Sequence, residues 1–161
     1  NIDFAASALS IGKRNAALND IAPDRFVTVQ ADVLPTLRQL AGLGVKGRAS
    51  RRRSFERFSA RQFDLVLLDP PAWAKGPFGA VDVVRDYSSL FKPALLATRP
   101  GGAMLVTNNS ARVDWDVWVD LLKRSARKAG RPLRDLERIL PEEDFPSPDG
   151  KPPLKVAWLQ V

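Results

Sequence analysis

The sequence predicts an α/β protein with a mostly parallel sheet and helices on both faces of that sheet. Short strands alternate along the chain with helices of about ten residues or more, which is typical of βαβ units. Two strand segments, FDLVLL at 63–68 and AMLVT at 103–107, are almost continuously apolar. Strands that are buried on both faces, as in a parallel sheet, have this character.

Hydrophobic periodicity and breaker residues set the limits of each element. Helices are predicted at 7–18, 35–43, 81–98 and 114–129, and strands at 26–31, 63–68, 103–107 and 154–161. The first helix follows from apolar residues at helical spacing, and the strand at 26–31 follows from the β-branched residues of FVTVQA. Pro35 suits the first turn of the second helix, and Gly130 closes the last one.

Composition excludes several kinds of catalytic chemistry. The chain has 161 residues, 17.8 kDa and 45% hydrophobic residues, which predicts a single globular domain spanning 1–161. It contains no Cys and no His, so disulfides, Cys/His zinc sites, Ser-His-Asp triads and thiolate nucleophiles are excluded. No apolar run long enough for a membrane span and no signal peptide is readable. We therefore expect a cytoplasmic protein without a metal site.

Positive charge is concentrated in one segment. The chain carries a net charge of +7, and residues 44–61 alone carry +6. A dense cluster of guanidinium groups, including Arg51, Arg52 and Arg53, releases counterions when it meets phosphates and therefore indicates a nucleic-acid partner. The alternative is a solvated basic insertion or helix that binds no ligand.

Acidic residues follow three of the strands. Asp3 stands after the incoming strand, Asp32 ends FVTVQA and Asp69 ends FDLVLL. Ligands of open α/β sheets bind at the carboxyl ends of the strands, and carboxylates there accept hydrogen bonds from ribose hydroxyls or amino groups. A single Asp in such a place is often only a helix cap, whereas three in succession favour a binding site.

The most specific motif is the loop DPPAW. Pro70 and Pro71 directly after a buried strand stop its ladder and stiffen the turn that presents Asp69 and Trp73. Such a loop suits stacking and hydrogen bonding of a flat heterocycle, and Lys75 is placed to reach a neighbouring phosphate. The alternatives are a rigid strand exit with a core Trp and a solvated lysine.

These motifs together resemble the catalytic domain of class I S-adenosylmethionine-dependent methyltransferases, within them the bacterial enzymes that methylate large-subunit ribosomal RNA. The segments that carry the resemblance are IDFAASALSIGKRNAALN, VQADV, FDLVLLDPPAWAK, RPGGAMLVTNN and LPEEDFPSPDGKPPLKVAWLQV. It implies a Rossmann-like fold with a C-terminal antiparallel hairpin, S-adenosylmethionine as cofactor and ribosomal RNA as partner. The implied cofactor-binding residues are Asp3, Phe4, Asp32, Val33 and Asp69. Asp69, Pro70 and Pro71 are implied to line the junction between methyl donor and target base.

Two departures from the family pattern shape the expectation. The Gly-rich loop and central strand that precede the acid at Asp3 are absent, which predicts an N-terminally truncated domain with half a cofactor site and a gap between its strands. The 5-methylcytosine branch needs a Cys where this chain has Asn108-Asn109-Ser110. Together with AVDVVRDY, this favours the guanine-N7 branch, with Asn108 beside Asp69 as a residue that grips the base.

Three alternatives stay open at this point. Adenine-N6 enzymes use a similar Pro-Pro loop, but their aromatic residue follows directly, whereas Ala72 intervenes here. A noncatalytic RNA-binding or degenerate methyltransferase-like fragment would also account for the missing Gly-rich loop and the Arg cluster. A methyltransferase of another substrate class is compatible with the same fold.

Overall fold

The residues that the structure describes form eight strands and four helices. The computed structural model describes residues 1–45, 55–76, 78–140, 142, 147 and 152–161. The strands are β1 (Ile2–Asp3), β2 (Val29–Gln30), β3 (Phe63–Leu68), β4 (Trp73–Gly76), β5 (Gly79–Asp82), β6 (Thr98–Asn108), β7 (Asp135–Ile139) and β8 (Lys155–Gln160). The helices are α1 (Ala6–Leu18), α2 (Val33–Leu40), α3 (Ser88–Ala97) and α4 (Trp115–Lys128). Arg51, Arg52 and Arg53 lie outside the described residues.

The strands form three separate sheets. The main sheet has the order β3-β6-β8-β7, in which β3 and β6 are parallel and the other neighbours antiparallel. Strands β1 and β2 pair in parallel in a sheet of their own, and β4 and β5 form an antiparallel hairpin. The expected C-terminal hairpin, β7 with β8, is confirmed. In the part of the chain that the structure describes, β1 and β2 share no ladder with the main sheet.

One face of the main sheet forms the core. Met104 and Val106 of β6 and Leu159 of β8 are fully buried, as are α3 and α4 residues such as Phe91 and Trp118. Burying a large apolar side chain contributes about 1.5–3 kcal/mol, so this layer dominates the stability. The alternate residues of the strands point the other way, and on β3 they are exposed.

Helix ends follow local capping chemistry. The Asp114 carboxylate accepts the N–H groups of Asp116 and Val117 and starts α4, as predicted, and Gly130 follows that helix with φ +69°. Asp32 caps α2 in the same way, so that helix begins two residues earlier than predicted. Caps of this kind contribute about 1 kcal/mol each.

The prediction of a helix over 81–98 was wrong in its first part. Strands β4 (Trp73–Gly76) and β5 (Gly79–Asp82) pair as a hairpin, and α3 begins only at Ser88. The Asp82 carboxylate accepts the backbone N–H groups of Val84 and Arg85, which fixes a turn before the helix. Gly79, at φ +145°, permits the hairpin turn in a conformation that other residues rarely adopt. In the parts of the chain that the structure describes, no helix is both long and apolar enough to cross a membrane.

Candidate functional site

Two acidic residues lie at the carboxyl ends of neighbouring parallel strands. Asp3 ends β1 and pairs in register with Gln30 of β2, and Asp32 follows that strand by two residues. The Ala31 N–H donates to the Asp3 carbonyl at 3.0 Å, which fixes the two chain exits beside each other. The structure therefore brings Asp3 and Asp32 to one edge, as the sequence predicted.

One oxygen of each carboxylate accepts a hydrogen bond from a backbone N–H group. Asp3 Oδ1 accepts the Ala5 N–H at 2.8 Å, and Asp32 Oδ1 accepts the Leu34 N–H at 2.9 Å. Among the described residues no hydrogen-bond partner is found for the second oxygen of either group. Phe4 is 69% exposed beside Asp3, and the half-buried Val33 opens α2. Polar and apolar groups thus remain available at this edge.

The β4–β5 hairpin comes very close to Asp32. A Cβ atom added to Gly76 would lie 2.6 Å from Asp32 Oδ2, closer than real Cβ atoms come to other atoms. A Cβ atom on Gly79 would lie 3.2 Å from a methyl carbon of Leu34. The two glycines of the hairpin turn therefore let its backbone cover the start of α2.

Asp69 follows β3 and is exposed, but one of its oxygens is held. The Thr107 hydroxyl of β6 donates a short hydrogen bond to Asp69 Oδ1, across the pair of parallel strands. Pro70 is buried and Pro71 is exposed, so the loop is anchored on one side and open on the other. This arrangement leaves the second carboxylate oxygen toward solvent.

Thr107 is itself held by a hydrogen bond from a core residue, a connection that was not predicted from the sequence. Its carbonyl accepts the Tyr87 hydroxyl at 2.8 Å, and Tyr87 is 1% exposed. Burial, and next the charge of Asp69, raise the pKa of Tyr87, so the phenol stays a protonated donor. A polar residue at the end of the apolar segment AMLVT was the available signal.

Asn108 does not stand where the sequence analysis expected it. Its side chain is fully buried, its Nδ2 donates to the Val83 carbonyl at 3.4 Å, and its Oδ1 accepts the Ser110 N–H at 3.0 Å. The predicted contact of Asn108 with a base is therefore corrected, because strand alternation turns its side chain away from the face of Thr107. Its exposed neighbour Asn109 follows in the same loop.

Lys155 is a second residue that sequence reasoning missed. It pairs with Asn108 across β6 and β8 and is 7% exposed. Its Nζ donates to the Ser110 carbonyl at 2.9 Å and to the Pro153 carbonyl at 2.7 Å. Burial lowers the pKa of Lys155, an effect that the nearby Asp114 partly offsets. The lysine ties the loop after β6 to the turn before β8.

Two of the residues expected to contact RNA, Trp73 and Lys75, lie on the hairpin. Trp73 is 62% exposed and Lys75 is exposed two residues later on β4. Within the basic segment the structure describes residues 55–61, where the Arg61 N–H donates to the Leu40 carbonyl at 2.9 Å. This hydrogen bond joins the end of the basic segment to the end of α2, just before β3 begins.

A cleft of about 460 Å³ opens at the gap between the sheets. Ile2 and Val29 line it from the small sheet, Leu40 from α2, and Phe63 from β3. The lining is mainly apolar, which is the character of an interior rather than of a polar binding site. The carboxylates of Asp3, Asp32 and Asp69 are not among the residues that line it.

Comparisons with known proteins point in one direction. No protein-family model matches the chain. It is 29% identical over 154 residues to the ribosomal RNA large subunit methyltransferase I of Vibrio vulnificus, covering 94% of this chain and 35% of that protein. It is 27% identical over 146 residues to the protein of the same name from Shewanella amazonensis, covering 91% and 33%. The chain thus spans about a third of the length of the curated relatives it matches.

Solved structures share the fold over almost the whole chain. The S-adenosylmethionine-dependent methyltransferase of Agrobacterium tumefaciens matches 99% of this chain with a TM-score of 0.67 at 17% identity, over 47% of its own length. SMU.776, assigned as a methyltransferase and complexed with SAH, matches 99% with a TM-score of 0.69 at 18% identity, over 38% of its length. The fold of this chain is therefore the Rossmann-like α/β fold of the S-adenosylmethionine-dependent methyltransferases.

Proposed function

We propose that this chain is part of an S-adenosylmethionine-dependent methyltransferase that acts on RNA, with large-subunit ribosomal RNA as its substrate. The observation that carries the proposal is the set of carboxylates Asp3, Asp32 and Asp69 at the carboxyl ends of strands from two parallel pairs, β1–β2 and β3–β6. Ligands of open α/β sheets bind at this edge. The relatives named ribosomal RNA large subunit methyltransferase I support the substrate class.

The residues at the edge of the small sheet fit a nucleoside. One carboxylate oxygen of Asp3 and one of Asp32 have no hydrogen-bond partner among the described residues, which suits the ribose hydroxyls at Asp3 and the adenine amino group at Asp32. Phe4 offers an exposed ring beside Asp3, and Val33 offers the first turn of α2. When bound, S-adenosylmethionine supplies an electrophilic methyl group to this edge.

Guanine N7 is the target atom that the residues favour. The chain contains no Cys, so methylation of a pyrimidine carbon through a thiolate has no nucleophile. N7 carries a lone pair and no proton, so its methylation requires orientation and removal of water rather than a catalytic base. The available oxygen of Asp69 can accept the N1–H or N2–H of the guanine while Pro70 and Pro71 keep the loop stiff. Asn108 shapes the following loop.

Binding of RNA is proposed to rest on positive charge and stacking. Residues 44–61, with Arg51, Arg52 and Arg53, supply phosphate contacts, and Lys75 adds one near the loop. Trp73 is exposed enough to stack on a base.

Calorimetric titration with S-adenosylmethionine tests the cofactor assignment. Asp3→Ala should weaken binding by about 1.5 to 3 kcal/mol, the range for hydrogen bonds with a charged partner. Asp24→Ala is the matched control, because it removes an exposed carboxylate away from the strand ends. Unchanged affinity in Asp3→Ala would leave Asp3 as a turn residue only. Absence of binding at millimolar cofactor by a full-length version, with the upstream strand restored, would refute the enzyme assignment.

Single-turnover methylation of ribosomal RNA tests the chemistry. Asp69→Asn should lower the methylation rate more than the affinity for S-adenosylmethionine, because the carboxylate acts on the substrate base. Mass analysis of the product nucleosides should find 7-methylguanosine. Full activity of the variant would remove Asp69 from the mechanism, and a different methylated nucleoside would refute the guanine-N7 assignment.

A noncatalytic RNA-binding protein is the second candidate. The gap between the β1–β2 sheet and the main sheet favours it, since a broken sheet edge holds a cofactor less firmly. The two candidates differ in the calorimetric experiment, because only the methyltransferase binds S-adenosylmethionine.

A further inference from the structure

The β4–β5 hairpin has two faces of different character. Trp73 pairs with Asp82, Ala74 with Val81, and Lys75 with Ala80. Because paired residues share a face and successive residues alternate, Ala74 and Val81 belong to one face, and Trp73 and Lys75 to the other. Val81 is 6% exposed and joins the core, whereas Trp73 is 62% exposed. The outer face therefore presents an aromatic ring and a cation to solvent.

The tip of the hairpin is joined to the end of the basic segment. The ring of Phe78, in the hairpin turn, packs edge-on against Phe55 with the ring centroids 5.5 Å apart. The Arg57 guanidinium lies 4.5 Å above the same Phe55 ring, and its residue is exposed. The base of the hairpin begins at Trp73, two residues after Pro71. The hairpin thus connects the basic segment, at its tip, to the Asp69 loop, at its base.

The charge on this surface favours phosphate. Arg57, Lys75 and Arg85 are exposed cations on or beside the hairpin. Asp82, the carboxylate opposite Trp73, is occupied by two backbone N–H groups and by Arg85 Nε at 3.8 Å. Its negative charge is therefore largely compensated within its own turn.

We propose that Arg57, Lys75 and Trp73 form a binding surface for single-stranded RNA, here called the hairpin strip, which guides the strand from the basic segment to Asp69. Trp73 stacks on a base, and the cations contact the phosphates on either side. An exposed ring needs an unpaired base, so the strip discriminates against duplex RNA. This inference deepens the proposed function and rests on it for the direction of the strand.

Fluorescence anisotropy with a labelled RNA of about 12 nucleotides, within the usual range of single-strand site sizes, tests the strip. Trp73→Ala should weaken binding about 5- to 100-fold, the range for loss of one stacked base, and Trp73→Phe should restore most of it. Lys75→Ala and Arg57→Ala should each flatten the slope of log affinity against log salt by about 0.7. Lys123→Ala, an exposed lysine on α4, is the control for loss of one positive charge.

The outcomes separate this inference from the proposed function. Wild-type affinity in Trp73→Ala, equal loss in Trp73→Phe, or a salt slope that Lys123→Ala changes as much as Lys75→Ala would overturn the strip. Equal affinity for a duplex of the same sequence would overturn its preference for single strands. Calorimetry with S-adenosylmethionine, run on the same variants, should give unchanged cofactor affinity. Absence of cofactor binding by the full-length version without substitutions would refute the methyltransferase proposal while leaving the RNA measurements valid.

Discussion

The Thr107 hydroxyl determines where the Asp69 carboxylate points. The carboxylate ends β3 and is exposed, so without this hydrogen bond it would be free to change its rotamer. Thr107 is in turn fixed through its carbonyl by Tyr87, which belongs to the buried core. A connection of two hydrogen bonds therefore runs from the core to the proposed substrate-binding carboxylate, and Thr107 acts as a positioning residue.

Replacement of Thr107 should show whether its hydroxyl positions the Asp69 carboxylate or only contributes to the structure of β6. Thr107→Val removes the hydroxyl at nearly the same volume and should lower the single-turnover methylation rate about tenfold, the effect of one hydrogen bond to a charged group. Thr107→Ser keeps the hydroxyl and should retain most of the rate. Affinity for S-adenosylmethionine should stay constant in both. If valine and serine variants react equally fast, the hydrogen bond does not position Asp69.

At the residue scale, the sequence predicts which residue types stand at the strand ends, but not the direction in which each side chain points. The Asp residues at the strand ends could be predicted, because an acid after an apolar strand is visible in the sequence. The direction of Asn108 could not, because it depends on the pleat of β6 relative to β3, which is set by the pairing register. The same register makes Thr107 the partner of Asp69.

At the scale of elements, Lys155 connects two loops through its side-chain hydrogen bonds. Its ammonium group binds one carbonyl after β6 and one before β8, and these two strands are neighbours in the main sheet. Burial of a cation lowers its pKa, and here Asp114 opposes that effect while Arg138 adds to it. A neutral amine still has two N–H donors for the two carbonyls, so loss of the proton preserves both hydrogen bonds.

The pKa of Lys155 gives a pH dependence of stability with a definite sign. The folded protein releases the Lys155 proton at lower pH than the unfolded chain does, so the unfolded chain binds more protons as the pH approaches 10.5. The free energy of unfolding of the wild type should therefore rise over this window relative to Lys155→Met. Tyr87 is present in both proteins and cancels in the difference.

Urea denaturation at several pH values between about 7 and 10 measures this effect. Lys123→Met, which replaces an exposed lysine, should give a curve parallel to that of the wild type. A constant difference between wild type and Lys155→Met over the whole range would show that folding leaves the pKa of Lys155 unchanged.

The hairpin shows why one element escaped sequence prediction. The segment AVDVV has apolar residues at spacings that fit a helix as well as a strand, and short apolar runs do not distinguish the two. The two glycines that favour the hairpin matter through their contacts with Asp32 and Leu34, which are distant in the sequence. Local propensity therefore could not decide between the structures, whereas α1 and α4, with long amphipathic patterns, were predicted within one residue.

On the scale of the whole molecule, the α/β fold class was predictable because the alternation of strands and helices is a property of the entire chain. The order of the strands was predictable only through the family resemblance, since β8 lies between β6 and β7. Hydrophobic pattern alone does not specify which strands are neighbours. The antiparallel pairing of β8 with β6 and β7 was likewise predictable only through the family resemblance.

The edge of β3 that is unpaired among the described residues has a consequence for the colloidal behaviour of this 161-residue chain. Among the described residues β3 has one ladder partner, and Leu65 and Leu67 on its outer face are 45% and 66% exposed. An open, apolar edge invites association between copies, and the net charge of +7 opposes it by repulsion. At about 1 M salt the screening length falls to about 3 Å, and that protection is lost.

Light scattering should therefore show reversible self-association that increases with salt, and Leu67→Lys should suppress it by placing a charge on the exposed face. Ile139→Lys, at a partly exposed position on β7, controls for the added charge. Equal scattering by wild type and Leu67→Lys at high salt would place the adhesive surface elsewhere. In physical terms, the positive charge that suits the protein to RNA also keeps its own copies apart.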